Sequence, residues 1–566
     1  MPDIRRKSAA ILLALVLVPA IATRLVGLSS APPALMPDEA GNGYDAYCLL
    51  ETGRDRWGAP FPLHLEAFGK GDFRPALYAY LTVPLVAVLG PQHFELATRL
   101  PAACWAVLTI VCFYGLVSRV CDRRTALWAA LLLALSPWHI RISRFGHESA
   151  LTPGFLIFAL ALLAKAGWPL CGRDDEEAPA DRLRWPGMTA LGVILALSFY
   201  SYASMCLFIP AMALAVACIY RGFLRRALAG RQSRRALLAG LIAFVPLIVP
   251  IAWLTFTQWS QVHGRAGYVS LFHQGLPLAD VLKQAGAQYL AHYGPVWLFK
   301  SGDASPLSST PHVGQLNWIL LPLLAVGLYV MWRRRKDNRA CALIVAWLLL
   351  HPLASAVCTD GPHSGRAACG IGVFQWIAAI GISALTTRWS DRPGRGWLVG
   401  GILLAAVLAN GAWAFHQYVT WVRGPLMRHL HQTDLRDAVV FLRDRWLDYD
   451  RIFISDHTSN EHEWANLHPY IYVAIYLPVE PARFQTWEKT VGYRRPEHGF
   501  HYVESAGPFT FSTQPTVLAE QFRNHPGQRV LVVGRPGDVS GGRLLQTIKD
   551  PPGQVRFELI EVIPPG

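Results

Sequence analysis

The chain has 566 residues, 52 Lys plus Arg against 38 Asp plus Glu, and 52% apolar side chains. Charged residues make up 16%, against roughly 25% in soluble domains, and the mean hydropathy is +0.27, which excludes an ordinary soluble protein. The formal charge of +14 sits mostly in short loops between apolar segments, where it sets topology, so the partner read from it is a lipid bilayer and not a nucleic acid.

The first element is Arg5-Arg6-Lys7 followed by an apolar run from Ala9 to Leu28. It lacks a clear small-x-small cleavage site and resembles the later apolar segments, so it is read as a retained membrane helix and not a cleaved signal. Further apolar segments fall near 75–90, 99–118, 125–140, 150–166, 187–202, 203–220, 236–256, 316–332, 340–358, 367–386 and 396–415. Clustered basic loops at 5–7, 119–124, 165–184, 221–235, 333–339 and 388–395 should all face the cytoplasm. That is possible only if one early segment does not cross. Residues 75–89, short, carrying Pro84 and ending in Gly90-Pro91, are read as an interfacial or re-entrant helix. About eleven crossing helices remain, with the N-terminus cytoplasmic.

The polar segments 29–98, 141–148, 257–315 and 359–366, and everything after about 417, then share the outer side. The last of these changes character. An amphipathic stretch Leu435–Trp446 precedes strand-like Arg451–Ile454, Arg529–Val533 and Val555–Leu559, separated by Gly/Pro turns. The reading is a polytopic α-helical membrane domain over 1–416 and an extracytoplasmic α/β domain over 417–566. The ten cysteines show neither metal-ligand spacing nor a disulfide framework; Cys358 and Cys369, which flank a polar loop, either pair across it or are core thiols, the favoured reading.

Chemistry-bearing residues concentrate on the outer side. Asp38-Glu39 follows Leu35-Met-Pro just after the first helix. The pair is either a helix start or an acid poised toward a reactant beside one held by hydrogen bonds. Gly71-Asp72-Phe73-Arg74-Pro75 closes the same loop, and Arg141 and Ser143-Arg144 with His147-Glu148 lie at the next outer turn. An ionisable group costs about 2.5–3.5 kcal/mol at the centre of a membrane helix, so such residues usually have a partner or a task. Arg141 and Arg144 fit either snorkelling anchors or a phosphate clamp. Lys300-Ser-Gly-Asp303 ends the long outer loop, which is otherwise connector-like. The short loop Asp360-Gly-Pro-His363-Ser-Gly-Arg366 reads as an interface anchor or a site for an anionic lipid headgroup. Trp57, Tyr268, Tyr289 and Trp297 are membrane-belt aromatics or sugar-stacking platforms.

Taken in order, these residues resemble the GT-C membrane glycosyltransferases that use polyprenyl-phosphate sugars: the dolichyl-phosphate-mannose protein mannosyltransferases and the lipid A aminoarabinose transferases. The likeness covers residues 1 to about 416. It is carried by Asp38-Glu39, by Arg74-Pro75-Ala-Leu-Tyr78, similar to a Lys/Arg-Pro-Pro-Leu-Tyr motif, and by Arg99-Leu-Pro101. Ser143-Arg144 with Glu148, Lys300-Ser-Gly-Asp303 leading to Ser309-Thr310-Pro311, and His363 with Arg366 extend it. Ala76 and Ser301 depart from the pattern, and the absence of Trp-Trp-Asp argues against en bloc transfer of an oligosaccharide to Asn.

The resemblance implies a GT-C fold with outer interfacial helices. The implied activity is inverting transfer of a hexosyl or pentosyl unit from a polyprenyl-phosphate donor to a hydroxyl acceptor on protein, lipid or cell-surface glycan, at the outer face of a bacterial-type inner membrane. Asp38 would be the base, with Glu39 positioning it or the acceptor. Arg74, Arg141, Arg144, Lys300 and Arg366 would be phosphate-side cations, and Glu148, Asp303 and His363 would complete the substrate-binding set. No obligatory metal is expected; a divalent ion would need Asp38, Glu39 and Glu148 to converge. The alternative, a flippase of lipid-linked sugars, predicts internal repeats and ionisable groups at mid-membrane, which the sequence does not show.

Overall fold

A computed structural model describes residues 2–67, 73–172, 179, 181–257, 269–336, 338–388, 395–456, 468–495, 500–524 and 526–562. They form two compact units, one from the described residues of 2–26, 102–257 and 269–419, the other from those of 27–101 and 420–562. The boundary between the units is not a single point in the chain, because residues 27–101 pack with the C-terminal chain.

The first unit is helical. Six helices among the described residues are long and apolar enough to cross a membrane, or up to eight if each sharply bent pair is one span. The count of eleven is not reached by length, since helices Trp185–Ser198 and Leu320–Arg334 have 14 and 15 residues against the roughly 20 a span needs. One bent pair shows how sequence dictates the break. Asp122 caps helix Arg123–Ala134 by accepting from Arg124 N and Thr125 N, and Ser136 with Pro137 then starts a new helix to Ser143 at 57° to the first. Helices Leu320–Arg334 and Val373–Arg388 meet through glycine, since a Cβ at Gly327 would strike the Ile377 carbonyl. The chain is an integral membrane protein.

The second unit is built on a seven-stranded sheet in the order β4-β5-β6-β3-β7-β9-β8. Its strands are β3 Arg451–Ile454, β4 Lys489–Arg495, β5 Phe500–Ala506, β6 Phe509–Thr510, β7 Val530–Gly534, β8 Arg543–Lys549 and β9 Val555–Val562. β3 runs parallel to β6 and β7, and the remaining pairs are antiparallel. The apolar runs at β3 and β7 are buried throughout or nearly so, as central strands require. Helix Pro37–Thr52 joins this core: Tyr44 and Ala46 are fully buried with Tyr472, Ile475, Leu531 and Leu559. A two-stranded ladder, β1 His64–Glu66 and β2 Phe73–Pro75, helix Leu77–Leu89 and the short helices of the C-terminal chain also belong to the unit. Helix Leu77–Leu89 has 13 residues, about 20 Å at 1.5 Å per residue, too short for a hydrocarbon core of about 30 Å.

Candidate active site

In the second unit the site is organised by helix Pro37–Thr52. Pro37 occupies the first turn, where its missing N–H costs nothing, and Asp38 and Glu39 sit where carboxylates favour the positive end of the helix. The two acids diverge. Asp38 has a side chain 23% exposed, whereas that of Glu39 is fully buried. Glu39 takes Arg99 Nε on one oxygen at 2.8 Å, and Arg99 Nη2 and the Met36 N–H on the other at 3.0 Å each. The rest of the Arg99 guanidinium donates to the carbonyls of Leu28, Pro32 and Ala34 at 3.1, 2.8 and 2.6 Å. Glu39 thus fixes the loop that leads into Asp38 and has its oxygens occupied from within the fold.

The C-terminal chain grips the same loop. Tyr472 donates to Leu35 O at 2.5 Å, Tyr476 accepts from Leu35 N at 3.1 Å, the His431 ring meets Ala34 O at 2.9 Å, and Arg436 donates to Pro33 O at 2.5 Å. Burial, aided by Arg99 nearby, pushes His431 down to about 4, so its ring is neutral at pH 7.

On the face of the helix that carries Asp38, a buried acid and two guanidiniums form a network. Asp45 Oδ2 lies 3.2 Å from Arg56 Nη1 and 3.4 Å from Arg74 Nη2, and Asp45 Oδ1 accepts from Arg56 N at 3.2 Å. Arg74 Nη1 donates to Asp38 O at 2.8 Å and stands 3.6 Å from Asp38 Oδ1. Arg74 reaches this place because β2 pairs Arg74 with Leu65 of β1. Beside the network, Asp55 accepts from Trp57 N and Ala59 N, and burial with Asp45 nearby raises its carboxyl to about 6.

The helical unit gathers the other predicted residues. Arg141 donates to Gln315 Oε1 at 2.6 Å. Arg144 donates to Thr23 O at 3.0 Å and lies 6.0 Å over the Tyr418 ring. His147 Nε2 and Glu148 Oε2 are 3.1 Å apart. Asp303 accepts from Ser305 N and, at 2.8 Å, from Ser364 N, which ties the Lys300–Asp303 turn to the short loop. In that loop Arg366 pairs with Asp360, while His363 Nδ1 accepts from Gly365 N; burial and the neighbouring Arg366 hold this imidazole below its ordinary range. Lys300 is exposed.

Arg74 is thus beside Asp38 in one unit, and Arg141, Arg144, Glu148, Lys300, Asp303, His363 and Arg366 all belong to the other. Asp72 and Tyr268 lie outside the described residues. Trp297, 2% exposed, packs on Trp138 and His292, Trp57 packs on Tyr470, and Tyr289 donates to Leu349 O, so these three are occupied within the fold. Among the described residues no three His, Cys, Asp or Glu side chains gather to hold a metal ion. Sequence reasoning missed Arg56 and also Asp45, for the latter of which the signal was the i, i+7 spacing from Asp38 on one helix. It also missed Arg24, a fully buried cation inside the first apolar helix.

Residues 74–253 match the family described as dolichyl-phosphate-mannose-protein mannosyltransferase. ArnT from Cupriavidus metallidurans in the apo state aligns over 98% of both chains at 11% identity, with a TM-score of 0.57. The chain has the GT-C fold. ArnT bound to undecaprenyl phosphate shares this GT-C fold over 98% of this chain and 97% of the other at 12% identity, with a TM-score of 0.55. The oligosaccharyltransferase AglB from Archaeoglobus fulgidus, in a structure with an inhibitory peptide and a dolichol-phosphate, matches at 14% identity and a TM-score of 0.50. That match covers 83% of this chain and 64% of AglB, so the chain spans less than two thirds of the AglB length. No curated protein matches by sequence.

Proposed function

We propose that this GT-C protein is an inverting glycosyltransferase that moves a monosaccharide from a polyprenyl-phosphate donor to a hydroxyl acceptor on the extracytoplasmic side of the membrane. The observation that carries the reading is the divergence of the acids on one helix: Glu39 and Asp45 are fully buried, while the Asp38 side chain is 23% exposed and has the Arg74 guanidinium 3.6 Å from its Oδ1. Asp38 takes the acceptor O–H proton. The acceptor oxygen attacks the anomeric carbon, and the bond from that carbon to the phosphate oxygen breaks with its electron pair, inverting the centre. A phosphate is already a good leaving group, so no strong general acid of the glycosidase kind is required. Arg74 offers charge to an anion beside Asp38, and Arg141, Arg144, Lys300 and Arg366 are the proposed headgroup cations of the helical unit.

The test is purified protein with a radiolabelled polyprenyl-phosphate sugar and an envelope extract as acceptor source. The expected result is release of polyprenyl phosphate and label in an acceptor with inverted anomeric configuration, both lost in Asp38→Asn. Passage of the intact lipid across vesicles with its sugar bond unbroken would instead establish the flippase.

A further inference from the structure

We propose that Asp45 is a positioning residue for the Asp38 carboxylate: it anchors one end of the Arg74 guanidinium, so that the other end stands beside Asp38 without closing on it. The inference rests on Asp38 being the base and adds the residue that sets its surroundings.

Asp38, Gly41 and Asp45 are spaced i, i+3 and i+7, which puts them along one face of helix Pro37–Thr52. Gly41 makes the arrangement possible. A Cβ there would strike Arg74 Nη2 and come within 2.7 Å of Arg56 Nη1, so both guanidiniums lie flat against the helix backbone only because this position has no side chain. Asp45 itself has little freedom to turn, since Arg56 holds both of its oxygens, through its backbone N at 3.2 Å and through Nη1 at 3.2 Å. Arg56 is anchored in turn by the carbonyls of Glu66 and Ala67. The geometry along Arg74 is therefore graded. Nη2 lies 3.4 Å from a rigid, fully buried carboxylate, Nη1 hydrogen-bonds the Asp38 carbonyl at 2.8 Å, and the Asp38 side-chain oxygen is left at 3.6 Å, an ion-pair distance longer than a hydrogen bond.

Arg74 has a carboxylate at each end, Asp45 by Nη2 and Asp38 by Nη1. If Asp45 loses its charge, the pull on Nη2 is lost and Arg74 can turn onto the Asp38 side chain. The His468 ring also lies within electrostatic reach of Asp38 and, lowered to about 4 by burial, carries no charge near neutral pH. A base captured in a direct Arg pair is a weaker base, because the cation stabilises its ionised form.

The test separates positioning from folding. Asp45→Asn alone leaves an excess buried cation and is expected to be unstable, so the informative variant is Asp45→Asn with Arg56→Gln, which removes one charge of each sign. It should fold, bind undecaprenyl phosphate within about threefold of wild type, and lose about tenfold or more in kcat with KM little changed. Its kcat against pH should have the acid limb moved down by about one unit, and Asp45→Glu should recover part of the rate. Carbodiimide labelling of Asp38 followed by mass spectrometry reads the same shift without turnover. A double variant with wild-type kcat, or a loss of kcat with neither the acid limb nor the labelling profile moved, overturns the inference. A wild-type protein that never releases polyprenyl phosphate overturns the glycosyltransferase reading instead, and the labelling arm still decides the role of Asp45.

Discussion

Arg99→Met is the perturbation whose size follows most directly from the structure. Arg99 and Glu39 have fully buried side chains, and Arg99 donates to both Glu39 oxygens and to three loop carbonyls. Removing one partner of a buried ion pair costs about 3–5 kcal/mol, and each stranded carbonyl adds about 1–3 kcal/mol where water does not reach it. A loss of about 5 kcal/mol or more in a unit of this size corresponds to a drop in melting temperature of roughly 10–20 °C. The sign with pH follows as well. In the variant the unpaired Glu39 has its folded pKa raised above the unfolded value of about 4.3, so it binds a proton more readily folded than unfolded. The deficit should therefore be smaller at pH 5 than at pH 8. Glu39→Gln combined with Arg99→Met removes the stranded charge and should recover part of the loss. Tryptophan-fluorescence melts of the detergent-solubilised protein give all of these values. A single variant melting within 2 °C of wild type at pH 8 would refute the assignment of this pair as the clamp on the Asp38 loop.

Asp38→Asn should lower turnover by about 10²–10⁴ while leaving the melting temperature close to wild type, as measured by donor cleavage and melting side by side. Tyr472→Phe removes the hydroxyl that donates to Leu35 O and contacts His431 O, which should cost about 1–2 kcal/mol and lower kcat more than KM. Asp55, raised from 3.8 to about 6 by burial and by Asp45, holds a proton in the folded state over a range where the unfolded chain has lost it. Its contribution to stability thus falls as pH rises from about 4 to 6, and Asp55→Asn should melt higher than wild type at pH 7.5, with the advantage gone at pH 4.

The helical class, the C-terminal sheet domain and the short helix within 75–89 could be read from the sequence because hydropathy, alternation and span length each leave a mark in consecutive residues. Strands β3 and β7 were legible as short apolar runs and β9 as an alternation of apolar and charged residues, each near turn residues. β4, β5 and β8 were not, since Lys489-Thr-Val-Gly-Tyr and Arg543-Leu-Leu-Gln-Thr lack a continuous apolar run and are strands through their partners. Asp38 and Arg74 were legible as residues but not as neighbours. Their contact is made by a helix start and a two-stranded ladder 36 positions apart, and no local pattern encodes it. The joining of 27–101 to 420–566 was hidden likewise, because it depends on tyrosine hydroxyls meeting loop carbonyls more than 400 positions away in sequence.

That long-range joining gives the C-terminal chain a task that its sheet alone does not reveal. Residues 33–35, which lead directly into helix Pro37–Thr52, contribute polar backbone groups outside regular structure. Buried groups of that kind must be satisfied or they cost about 1–3 kcal/mol each. Tyr472, Tyr476, His431 and Arg436 supply the partners for Pro33, Ala34 and Leu35, and the neutral state of His431 at pH 7 lets its ring serve without adding a charge beside Arg99. Arg99, which also donates to the Ala34 carbonyl of that loop, then meets Glu39. The loop that leads into the proposed base is thus held by an ion pair on one side and by the C-terminal chain on the other, and a change in either should move Asp38 without touching it.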